Sequence, residues 1–304
     1  MKRKDFSFAF LLLFVLPLFL TAQVNIEVTN EKATLSAGNQ NVYKVIIPEA
    51  NLETVKKEWT KIIRQNTKSK VVLAGTEINI AGTLIKEIYD KPINIYSALI
   101  SDNSYVTVFA AYEIDSAFFE YTIGNKTIQT DKINSSINEL MRNFAVGQYK
   151  NAVSEKLDLE EKNLEKLNKE YENLNNQVES DRKEIKENEQ NIKNAEDAIA
   201  SNEKENERKV TQINSKKEAL AAVKDDPELN KITKDQLKEL EKEKRSIENE
   251  LEKGKKEIIT YQANIEDLNR QIEDNLKIIE EKNTEITTQQ QVVKDISKVL
   301  QGIK

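Results

Sequence analysis

Acid–base chemistry in this chain has to come from carboxylates, amines or phenols, because its 304 residues include neither cysteine nor histidine. That removes thiol nucleophiles, disulfides, Cys/His zinc sites and Ser-His-Asp relays together. The carboxylates nearest one another in a region able to build a core are Glu113, Asp115 and Glu120. A paired-carboxylate hydrolase needs two such groups facing one cleft. Alternation along Tyr105–Ile114 instead puts Glu113 on one strand face and leaves Asp115 for the following turn. No glycine is followed by Lys-Ser or Lys-Thr, and G-x-G-x-x-G does not occur, so neither phosphate-cradling loop is encoded. Asp225, Asp226, Glu228 and Asp235 could gather round calcium, but they lack the EF-hand spacing and its central glycine, and turn formation accounts for them. Lys216-Lys217 and Lys253-Gly254-Lys255-Lys256 are basic islands in an acidic region, whereas a phosphate backbone calls for a continuous basic face. The expectation is a protein with no catalytic residue, no cofactor, no metal site and no nucleic-acid partner.

The elements that carry these residues follow from composition. Only 7 glycines and 4 prolines punctuate the chain, and 32 % of it is charged. Turns for two ordinary compact domains cannot be built from so few, so much of the chain is expected to be long helix. At the start, Lys2, Arg3 and Lys4 precede an apolar run from Phe6 to Leu20, closed by Thr21, Ala22 and Gln23. Fifteen residues span roughly 22 Å as a helix, short of a bilayer core of about 30 Å, and Pro17 interrupts it. Residues 1–22 therefore read as an export signal cut after Ala22, which places the protein in the periplasm or on the surface of a bacterium. Membrane contact would be confined to that segment if it stayed uncleaved.

Beyond it the chain changes character near residue 150. Residues 23–150 carry 14 basic and 14 acidic side chains and 12 of the 19 aromatic residues. Residues 151–304 carry 29 basic and 37 acidic side chains, with Tyr171 and Tyr261 their only aromatics. The first stretch can build a globular core and the second cannot.

Residues 23–150 predict a small α+β head, one helix laid on an antiparallel β-meander. Val42–Ile47 reads as a strand stopped by Pro48. Asn51 can cap a helix whose Leu52, Val55, Trp59, Ile62 and Ile63 recur at helical spacing. Val71–Ile80, Thr83–Tyr89, Ile93–Ile100 and Tyr105–Ile114 are the following strands, separated by breaks short enough for hairpins. Phe118–Ile123 is an expected edge strand. A helix from about Asp131 turns Ile133, Ile137, Leu140, Met141 and Phe144 to the sheet, and Gly147 marks a bend.

Residues 151–304 read as a long antiparallel α-helical coiled-coil hairpin. Apolar positions run through Leu164, Leu167, Tyr171, Leu174, Val178, Ile185, Ile192 and Ile199. They resume through Leu237, Leu240, Ile247, Leu251, Ile258, Tyr261, Ile265, Leu268 and Ile272, in steps of three, four and seven. Pro227 must interrupt a helix. Thr233 with Gln236 has the form of a capping box, and Ile232 with Leu237 that of a hydrophobic staple. This reading makes 151–226 the first arm, 227–233 the apex with Asp226 and Pro227 at its start, and 234–304 the second arm, each about 70 residues or roughly 100 Å. Facing residues whose numbers total 460 then pair Leu220 with Leu240, Ile199 with Tyr261 and Ile192 with Leu268, and a register shifted by seven keeps much of the seam. Asp181, Asn188, Asn202, Asn206 and Gly254 interrupt it, as polar layers that set register and pairing do.

An export signal, a small head and a helical hairpin resemble in outline the hairpins of periplasmic adaptor subunits and the helical arms of envelope chaperones. The β domains that follow an adaptor hairpin have no counterpart here, and no family is assigned. Function is expected to be non-enzymatic: the head anchors the molecule or joins it into a homo-oligomer, and the hairpin acts as a spacer, scaffold or docking arm for a protein partner. The alternative is a holdase-type periplasmic chaperone with helical arms.

Overall fold

The computed structural model describes residues 25–121 and 127–304. The expected export signal lies outside them, as does the end of the expected Phe118–Ile123 strand. In chain order the elements are β1 (Val28–Leu35), β2 (Gly38–Pro48), α1 (Leu52–Arg64), β3 (Val71–Ala74), β4 (Glu77–Thr83), β5 (Ile93–Asp102), β6 (Tyr105–Ile114), β7 (Ala117–Phe118), α2 (Ile128–Ala222) and α3 (Pro227–Gly302). An antiparallel sheet is thus followed by two long helices that pack against each other. The chain divides into two compact units, Met1–Asn163 with Gln289–Lys304, and Leu164–Thr288.

In the first unit the strand order is β1-β2-β6-β5-β4-β3, with β7 paired to β6. Alternation along the central strands sends Tyr43, Val45 and Ile47, Ile93, Ile95 and Leu99, and Val106, Val108 and Tyr112 into one buried core. There they meet Val55, Trp59 and Ile63 of α1 and Ile133, Ile137, Met141 and Phe144 of α2. On the other parity Leu35, Val42, Ala98 and Ala111 form a smaller cluster beneath Tyr96, Phe109 and Phe118. Asn51 caps α1 as its side chain predicts, its Oδ1 accepting from the amides of Glu53 at 3.0 Å and Thr54 at 3.2 Å.

The head differs from its sequence reading where turn chemistry overrides apolar content. The expected Val71–Ile80 strand is a hairpin, because Gly75 adopts φ +64° and folds β3 back onto β4. The expected Thr83–Tyr89 strand stops at Thr83, where Gly82 at φ +67° accompanies a slip in register. The chain then makes a tight turn in which the amides of Ile88 and Tyr89 both donate to Ile85 O at 2.9 Å, burying Ile85 and Ile88. β1 has no counterpart in the sequence reading. It is an edge strand whose residues are mostly exposed, so it carries no apolar alternation to detect.

Two further differences concern boundaries. α2 continues through Gly147 as uninterrupted helix. The core also does not stop at residue 150: Val153 is buried in it, and so are Ile296 and Ile303 from the end of α3. Polar contacts follow the same path, from Lys156 Nζ to Glu49 at 2.8 Å and from Gln289 Nε2 to Glu160 at 2.7 Å. Composition changes at 150 because the exposed faces of α2 become charged there, whereas packing changes only where the buried face does.

Among the described residues no helix is long and apolar enough to cross a membrane.

Candidate functional site

The turn between the long helices comes earlier than the sequence reading places it. α2 ends at Ala222, residues 223–226 make the turn, and α3 begins at Pro227 itself. Proline suits the first helical position, since its missing N–H would have no intrahelical acceptor there and its φ is already helical. Asp226 is the cap, its Oδ1 accepting from the amides of Glu228 and Leu229, both at 3.1 Å. The proline that interrupts one helix therefore starts the next, and the expected 227–233 apex is corrected to 223–226.

The residues assigned to a second cap have other roles. Thr233, only 7 % exposed, sits within α3. Gln236 accepts from Lys216 Nζ at 2.8 Å, Leu237 is half-buried, and Ile232 is exposed. Asp226→Ala is expected to lower the stability of the start of α3 by about 1 kcal/mol. Hydrogen exchange of amides 228–240 in the full chain should rise accordingly, and unchanged exchange would remove Asp226 from the capping role.

Within Leu164–Thr288 the side chains that bridge the helices set the register. Lys209 Nζ meets Glu243 at 2.7 Å and Lys282 Nζ meets Glu170 at 3.1 Å. These pairs, and Lys216 with Gln236, have residue numbers that total 452. A Cβ added to Gly254 would stand 3.1 Å from Ile199 Cγ1, so Ile199 lies against the glycine and not opposite Tyr261. The pairing is about one heptad away from the expected total of 460. An apex nearer the N-terminus pairs every residue with a lower-numbered partner, and a seven-residue repeat keeps the same side chains inward after such a shift. Leu220, Leu240, Ile192, Ile199 and Tyr261 are accordingly half-buried, and Leu268 is buried. The outer faces carry ladders such as Glu165–Lys169 at 2.5 Å and Glu252–Lys256 at 2.8 Å. The Glu165 carboxylate hydrogen-bonded to Lys169 holds that ammonium above its ordinary range.

Polar side chains interrupt this seam. Asp181 is 3 % exposed and accepts from Gln177 Nε2 at 2.7 Å through Oδ1, while its Oδ2 has no partner among the described residues. Asn188 Nδ2 and Asn206 Oδ1 are likewise buried without partners among the described residues. Asn202 is half-buried.

In the head the carboxylates considered for catalysis are bound separately. Glu113 accepts from Asn94 Nδ2 at 2.9 Å and Tyr96 OH at 3.3 Å. Asp115 accepts from Tyr89 OH and pairs with Lys91 Nζ at 3.5 Å, in a β6–β7 turn where Asp115 and Ser116 both have positive φ. The hydrogen bond from Tyr89 holds the Asp115 carboxyl below its usual range. Glu120 is exposed. Tyr112 is fully enclosed, its OH without a partner among the described residues and its ring edge-on to Tyr43 with centroids 5.8 Å apart; burial raises both phenols well above their ordinary value. Among the described residues no group of three or more Asp or Glu side chains is placed to hold a metal ion.

No family model and no curated protein matches the chain. Among solved structures, the crystal structure of CalU16 from Micromonospora echinospora is similar at 13 % identity over 43 % of this chain and 98 % of its own, with a TM-score of 0.20. That likeness is too slight to carry an argument.

Proposed function

We propose that this is a non-enzymatic, exported envelope protein whose α2 and α3 form a coiled-coil hairpin that serves as a spacer, scaffold or docking arm for a protein partner. In this reading residues 1–22 are the export signal, and the head anchors or oligomerises the molecule in the periplasm or at the cell surface. The observation that carries it is the use of side chains in Leu164–Thr288: most large apolar residues are buried or half-buried, Val210, Leu229, Ile232, Ile259, Leu276 and Ile278 are exposed, and the rest of the surface is largely charged. Such a surface stays soluble at length and offers a partner its end or its polar layers.

The turning end has the apolar groups that a docking contact calls for. Leu229 and Ile232, one helical turn apart in α3, are 51 % and 52 % exposed. The sequence reading had put Ile232 in a staple, where it would have been covered. Replacing Val223–Leu237 with a short glycine turn is expected to lower recovery of the partner from envelope extract by about tenfold or more, as loss of a hot-spot cluster does. Equal recovery with and without the apex would reject the docking arm.

A further inference from the structure

We propose that the groove between α1 and the first turns of α2 is a binding site for a cationic, apolar segment of a partner protein. The inference stands independently of what the long helices do. The groove encloses about 510 Å³, within the range of ligand sites, and lies wholly in the first unit. Its floor is Ile62 from α1 with Leu140 and Phe144 from α2. From Ser136 to Gly147 its lining spans three turns of α2, roughly 16 Å at the helical rise. A trough of that length along a helix suits an extended or helical segment better than a compact molecule.

Two observations define the chemistry of the occupant. The only charged residues lining the groove are Glu87 and Glu139, and neither makes an ion pair or hydrogen bond among the described residues. Carboxylates on the rim of an apolar trough favour lysine or arginine and disfavour acidic segments. Gln148, which also lines the groove, is only 9 % exposed and has no hydrogen-bond partner among the described residues. Its amide atoms are not fully enclosed, which leaves them open to a hydrogen bond with the backbone or side chain of a bound segment. Gly147 adds room, since a Cβ there would meet nothing within 4 Å.

The test uses the full chain and a dye-labelled amphipathic peptide of leucine and lysine about four helical turns long, followed by fluorescence anisotropy at physiological ionic strength. The expected result is saturable binding that weakens about tenfold or more in Glu87→Lys/Glu139→Lys and several-fold in Gln148→Leu, but not in Glu252→Lys on the paired helices. Trp59, the chain's only tryptophan, packs against Phe144 with ring centroids 5.1 Å apart and the rings tilted by 53°, so its emission shows whether each variant keeps the groove. If a variant does not fold, a photo-cross-linker on the peptide replaces it: adducts within 136–148 support the site and adducts elsewhere overturn it. The site is also overturned by absence of binding, by equal binding of a leucine–glutamate peptide, or by equal weakening in Glu252→Lys. Dodecyltrimethylammonium binding where the peptide does not would assign the groove to small organic cations and reject the peptide segment.

Discussion

Trp59→Ala is expected to destabilise the head by about 3–5 kcal/mol, a large share of the 5–15 kcal/mol that holds a typical domain folded. The side chain has no exposed surface, and it joins α1 to both of the elements it packs on. Its ring lies against Phe144 of α2, and its Nε1–H donates to Ser97 Oγ on β5 at 2.9 Å. Ser97 in turn donates to Ile78 O on β4 at 2.5 Å, so one residue orients a chain of polar contacts through an otherwise apolar core. Alanine leaves a cavity the size of an indole and removes the donor at once. Trp59→Phe keeps most of the volume and should cost less, with loss of the hydrogen bond contributing about 0.5–1.5 kcal/mol. Hydrogen exchange of amides 93–114 in the full chain measures both. The alanine variant should lose about two to four orders of magnitude of protection; a loss under tenfold would mean that α1 is not needed to hold the sheet.

Asp181→Leu should have a large effect of the opposite sign. A buried carboxylate with one partnered oxygen and one bare oxygen bears a desolvation penalty that Gln177 offsets only in part. Val178 is buried and Ile185 half-buried one turn to either side, so leucine would continue an apolar row. Replacing a buried ion pair by apolar residues of similar volume is neutral or stabilising by about 1–4 kcal/mol in other proteins, and a buried carboxylate with no cationic partner among the described residues has less attraction to lose. A gain of that order is expected in the thermal unfolding followed by far-ultraviolet circular dichroism, which here reports mainly α2 and α3. Asp181→Asn, which retains a polar layer, should gain less. A loss of stability in Asp181→Leu would show that the carboxylate has a partner in solution. The gain is expected at the expense of pairing specificity, because polar layers penalise registers that bury them against apolar neighbours.

The paired helices illustrate how far periodicity carries. A heptad pattern is redundant, so it names the same candidate seam residues in either register; Leu268 is buried, and Leu220, Leu240, Ile192, Ile199 and Tyr261 are half-buried. Register depends on a single local event, the turn. Thr233-x-x-Gln236 has the form of a cap, but the structure caps α3 with Asp226 ahead of Pro227, and the pairing differs by about a heptad. Thr233 lies within α3 because Asp226 has already satisfied the first free amides, so the helix has no end left at Thr233 to cap.

The head was legible where a residue's role is local. Asn51 ahead of an amphipathic stretch specified α1, and alternating β-branched and aromatic residues specified β5 and β6. β1 was not legible because an exposed edge strand needs no apolar face, and residues 84–89 were misread because Ile85 and Ile88 serve a buried turn as well as they would serve a strand. The groove between α1 and α2 could not be read at all. Ile62, Glu87, Glu139 and Gln148 are separated by tens of residues, and only the packing of α2 beside α1 brings them to one trough.

By itself the sequence determined the composition of the parts: which helices would be long, which of their faces would turn inward, where α1 begins, and which cysteine- and histidine-based chemistries are ruled out. Those properties depend on residue type and on spacing within a few turns. Tertiary structure decided the register of the long helices, the return of Ile296 and Ile303 to the head core, and the meeting of Glu87, Glu139 and Gln148. Each of these is a contact between distant segments, set by the competition between alternative packings and not by the preferences of any one segment.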